Sequence, residues 1–94
     1  MKSWSSFRRI KTALDGEDIE GLLAMGCPAD EYDSEASLIE SGIAKAASDG
    51  KLVDATHIEK IVSQVWNRMF GPFTDEDLNK RQSAFSSVAK KIAD

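Results

Sequence analysis

The stretch Val53-Asp54-Ala55-Thr56-His57-Ile58-Glu59-Lys60-Ile61-Val62-Ser63-Gln64-Val65-Trp66-Asn67-Arg68-Met69-Phe70-Gly71-Pro72 decides the fold class. Ile58, Ile61, Val62, Val65, Trp66, Met69 and Phe70 spread over about half of a helix circumference at 100° per residue. A stripe that wide touches more than one neighbour, so this is the central helix. Asp54 is placed to cap it, with Val53 stapling onto Ile58. Gly71-Pro72 stops it, because proline cannot continue a helix.

Working outward, the same periodicity recurs and strand alternation does not. After the stop, Thr74 and Asp77 can cap a last helix carrying Leu78, Phe85, Val88, Ala89 and Ile92, with Phe73 stapling onto Leu78. That narrow stripe predicts an outer helix with one wet face. Upstream, a helix is expected from residue 33 or 34 to 48, with Tyr32, Ala36, Ile39, Ile43 and Ala46 or Ala47 inward and Asp49-Gly50 closing it. The first helix spans residues 3–14 through Trp4, Phe7, Ile10 and Leu14, and Asp15-Gly16 should end it. A further short helical turn is expected over residues 18–25. Gly26-Cys27-Pro28 breaks the chain before the second main helix. The prediction is an all-α, single domain over residues 1–94. It is a small four-helix antiparallel bundle with an irregular Gly/Pro turn between its first two main helices. Ile61, Val65 and Phe85 should be among its most buried side chains.

Composition bounds the function. The 94 residues are 41% hydrophobic and 30% charged, which is globular. No apolar run approaches the roughly 20 residues of a membrane helix, so no membrane partner is expected. The basic residues near Met1 lead into no apolar signal core. Cys27 is the lone cysteine, which fits a reducing, cytoplasmic setting without disulfides.

The net charge of −4 is unevenly laid out. Nine acids and no basic residue lie between Lys11 and Lys45: Asp15, Glu17, Asp18, Glu20, Asp30, Glu31, Asp33, Glu35 and Glu40. Such a field repels phosphate backbones, which argues against nucleic acid, and attracts basic proteins or cations. Asp30, Glu31, Asp33 and Glu35 are the candidate partner-binding residues, partly exposed beside a helix N-terminus whose dipole they also favour. They lack the spacing of a calcium loop, and no metal or cofactor site is assigned.

No catalytic residue is assigned either. His57 is the one histidine and has no sequence neighbour as a catalytic partner, while Cys27 precedes acids that disfavour its thiolate. Trp66, Phe70 and Phe73 read as core packing.

The run Gly26-Cys27-Pro28-Ala29-Asp30-Glu31-Tyr32-Asp33, preceded by Gly21-Leu22-Leu23 and followed later by Phe70-Gly71, resembles the bacterial YugE-like family, the domain of unknown function numbered 1871. That family usually shows Trp-Asp-Pro ahead of its Gly-Leu, where this chain has Glu17-Asp18-Ile19-Glu20. The resemblance implies a compact helical bundle and no activity.

The function expected from these readings is a small protein-interaction module with an acidic contact surface, immunity-type in its narrower form, docking on a basic protein. The alternative is an enzyme or a small-ligand or metal-binding protein that uses the acidic turn at residues 30–35.

Overall fold

The computed structural model describes residues 6–21, 23–26, 32–50 and 53–93. Four helices follow in order: α1 (Ser6–Glu17), α2 (Asp33–Ser48), α3 (Ala55–Phe70) and α4 (Asp75–Ala93). Each packs on two others, α1 on α2 and α4, and α3 on α2 and α4. The result is the expected all-α four-helix bundle, with no strand among the described residues.

The caps form as their residue types dictate. Asp54 Oδ1 accepts the His57 N–H at 2.9 Å. Thr74 Oγ1 accepts the Asp77 N–H at 3.1 Å, and Thr74 N–H reaches back to Asp77 Oδ2 at 3.4 Å. Each satisfies amide donors that a helix start otherwise leaves orphaned. Gly71 ends α3 without a left-handed turn, at φ −85°. Its reason is space, since a Cβ there would lie 2.3 Å from the Asn67 carbonyl oxygen that accepts its N–H.

Trp66 is fully buried between α2 and α4, its ring 5.8 Å from Tyr32 and 6.3 Å from Phe85. Ile10, Leu14, Ile39, Val62 and Val88 complete the deep core. Phe85 is 1% exposed, as expected, whereas Val65, at 9%, is the most exposed member of the buried core rather than one of its deepest residues. Ile61 is only partly buried, contrary to expectation, because it faces the edge where Gly42 of α2 passes. A Cβ on Gly42 would stand 2.9 Å from Ile61 Cγ2, so glycine sets how closely the two helices approach. Truncating Val65 to alanine should cost about 1–2 kcal/mol, measured by urea unfolding, through lost burial and a residual cavity.

Two local expectations are corrected. Helix α1 does not end at Asp15-Gly16 but runs through both to Glu17. Asp18 then takes the left-handed turn, at φ 45°, its N–H bonded to the Leu14 carbonyl at 2.8 Å. Asp tolerates that conformation where its carboxylate can bond nearby backbone. Residues 18–21 and 23–26 form turns rather than a helix, with Gly21 and Gly26 also left-handed, and Leu22 lies outside the described residues.

Candidate functional site

The ring of helices, each antiparallel to its neighbours, brings the end of α1, the start of α2, the end of α3 and the start of α4 to one end of the bundle. The acidic interval sits mainly there, and most of its described carboxylates turn inward. Asp18 Oδ1 accepts the Tyr32 hydroxyl at 2.7 Å and the Leu23 N–H at 3.0 Å, and Oδ2 accepts the Ala24 N–H at 3.0 Å. The Tyr32 hydroxyl in turn accepts the Glu20 N–H at 3.2 Å.

Glu20 is the centre of the site. Its Oε2 accepts the Trp66 indole N–H and the Arg81 Nε–H, both at 2.7 Å, and its Oε1 accepts Arg81 Nη2 at 3.0 Å. The fork is bidentate, the strong form of an arginine–carboxylate pair. Arg81 also donates to the Asp77 carbonyl at 3.1 Å and stacks 4.5 Å over the Phe73 ring. Glu20, Trp66 and Arg81 thus latch the α1–α2 connection onto α3 and α4.

Further along, Glu17 accepts from the Ser87 hydroxyl at 2.5 Å and from Lys91 at 3.1 Å. Lys11 lies 3.1 Å from both Asp15 and Asp33.

These partners set the titrations. The Arg81 fork holds the Glu20 carboxyl below its ordinary value of 4.5, with the Trp66 bond assisting and burial opposing. Glu17 is lowered likewise, chiefly by the Ser87 hydroxyl and then by Lys91. A carboxylate whose folded pKa is depressed contributes stability above its unfolded pKa and loses it as pH falls towards the folded value. Stability should therefore hold from neutral pH down to about 4.5 and decline below it. Glu20→Gln should flatten that acid limb of the thermal-denaturation profile. An unchanged profile would deny the latch its electrostatic role.

The candidate residues fare unequally. Asp30 and Glu31 lie outside the described residues, as do Cys27 and Pro28. Asp33 keeps its side chain 40% exposed while paired with Lys11. Glu35 is a correction: it is 4% exposed, not a surface carboxylate. It follows Tyr32 by three residues and precedes Ile39 by four, so it shares the inward face of α2 with both. Asp18, Glu20 and Arg81 were not candidates from sequence. His57 lines a shallow groove between α2 and α3, with Leu38 and Ile61, and no catalytic grouping forms around it there among the described residues.

Among the described residues no three His, Cys, Asp or Glu side chains gather as a metal-holding group, and no helix is long and apolar enough to cross a membrane. No family model matches the chain, and no curated protein or solved structure matches it.

The latched end also carries exposed apolar side chains. Met25 is 75% and Met69 41% exposed, and they are the exposed large hydrophobic side chains among the described residues. Met25 belongs to the α1–α2 connection and Met69 to the last turn of α3, so both lie at this end. Asp75 and Glu76, in the first turn of α4, are exposed at the same end.

Proposed function

We propose that the protein is a small protein-interaction module whose contact surface is the latched end of the bundle and whose partner is a basic protein. The observation that carries this reading is the placement at that end of the exposed side chains of Met25 and Met69 together with exposed Asp75 and Glu76. Methionine suits such a surface because its unbranched, polarisable chain adapts to what it meets. Carboxylates around it speed the approach of a basic partner and bias partner choice. The Asp18 and Glu20 carboxylates are engaged with arginine, indole, hydroxyl and amide donors, an arrangement suited to holding a rigid surface.

An immunity-type inhibitor of a basic toxin or nuclease is the narrower form of the proposal, and it rests on the same charge complementarity. The lone Cys27 supports a cytoplasmic setting. The likeness of Gly26 to Asp33 and of Phe70-Gly71 supports placing the chain beside the YugE-like family.

The test is a photo-crosslinking residue at position 69, with exposed position 60, early in α3 and away from this end, as the control. Position 69 should give one discrete protein adduct in the native cell, in a yield that falls with salt because screening acts over a Debye length of about 8–10 Å. Equal labelling from both positions, or none from position 69, would contradict the proposal.

A further inference from the structure

We infer that residues 18–21 and 23–26 belong to a preorganised presenting loop whose Met25 side chain is the anchor that enters an apolar, lysine- or arginine-rimmed pocket of the partner. This rests on the interaction reading above and adds to it a residue, a mechanism and a pocket chemistry.

The loop is held in far more ways than a simple connection needs. Asp18 binds the Leu23 and Ala24 amides with its two oxygens, Tyr32 ties Asp18 to the Glu20 backbone, and Glu20 is clamped to Arg81 and Trp66. Ile19 and Leu23 pack against the core, which fixes the loop from beneath. Left-handed backbone at Asp18, Gly21 and Gly26 bends the chain sharply. Asp18 holds its left-handed conformation because its carboxylate bonds the Leu23 and Ala24 amides, which ties the turn to the end of α1.

All of this fixed structure displays an apolar side chain. Met25 is the most exposed large hydrophobic residue among those described, although its N–H bonds to the Gly21 carbonyl at 3.1 Å within an ordered turn. Fixing the backbone in advance removes the ordering cost that a floppy loop meets on binding. A protruding apolar side chain on a rigid base is the geometry of an interface anchor, which a partner receives in a desolvated pocket. The α1–α2 connection that carries Met25 contains acids and no basic residue, and Asp75 and Glu76 are exposed in the first turn of α4, so the complementary pocket has a basic rim.

The experiment is a competition. Unlabelled chains are titrated into native lysate against parent protein carrying the crosslinker at position 69, and loss of the adduct is read. Met25→Ala should compete at least tenfold more weakly than parent at unchanged melting temperature, and Met25→Leu should compete within a few-fold of it. Glu20→Gln, which leaves Met25 in place but loosens the clamp, should also compete more weakly. A strong adduct at position 69 with Met25→Ala competing like parent overturns the anchor and leaves the interaction module standing. A folded Glu20→Gln that competes like parent overturns the preorganisation. Absence of any adduct at position 69 overturns the interaction reading, and the anchor with it. Should Glu20→Gln fail to fold, the two Met25 variants decide the matter, because their exposed position leaves the core intact.

Discussion

Trp66→Ala is expected to lower stability by about 3–5 kcal/mol, the largest effect of any single substitution considered, and to leave the chain mostly unfolded at modest urea concentrations. The ring is fully buried and meets Tyr32, Phe70 and Phe85 at once. Its removal opens a cavity among three helices, too wide for relaxation to fill. It also takes one donor from Glu20, although the Arg81 fork remains. Trp66→Phe separates the two losses. It keeps most of the apolar contact and surrenders the indole hydrogen bond, which is worth about 1.5–3 kcal/mol to an ionised acceptor and less where water can reach. Unfolding followed by far-ultraviolet circular dichroism measures both variants. A cost for Trp66→Ala below about 1 kcal/mol would place the indole outside the core.

Glu20→Gln should cost about 2–3 kcal/mol. Removing one member of a well-buried pair typically costs about 3–5 kcal/mol, because the remaining charge is stranded. Here the Arg81 and Glu20 side chains retain 23% and 15% exposure, so water meets part of that loss. Replacing both members should hurt less than the separate costs imply. A Glu20→Gln, Arg81→Met double-mutant cycle should therefore show a coupling of about 1–2 kcal/mol. Additive costs would mean that the fork contributes only as two independent surface groups.

The helices were legible because their signals are local. Asp54, Thr74 with Asp77, and the stripe from Ile58 to Phe70 all act within a few residues of the structure they specify. The latch was not, because its parts are distant. Glu20 finds Trp66 and Arg81 46 and 61 residues away, and Glu17 finds Lys91 74 residues away. Within the interval itself no basic residue offers a partner, so its acids read as an open surface. Two clues lay in the stripes. Arg81 stands three residues after Leu78 and four before Phe85, and Glu35 stands likewise between Tyr32 and Ile39. A charged residue on the inward face of a helix turns towards the core, where it needs a partner. The turn at Asp18 was hidden by Gly16, which looked like the natural helix stop, whereas Asp18 bonds the Leu23 and Ala24 amides and so tolerates the left-handed backbone that ends α1.

A clamped α1–α2 connection differs from one splayed into solvent in how well Asp18 and Glu20 shield their donors from exchange. Hydrogen exchange followed by nuclear magnetic resonance reads this directly at the Leu23 amide and the Trp66 indole N–H, which the structure bonds to Asp18 and Glu20. Protection of both at about the level of the core amides of α3, falling together in Glu20→Gln, is the predicted result. Exchange of both at the rate of an unstructured peptide, in a chain whose α3 amides remain protected, would contradict it.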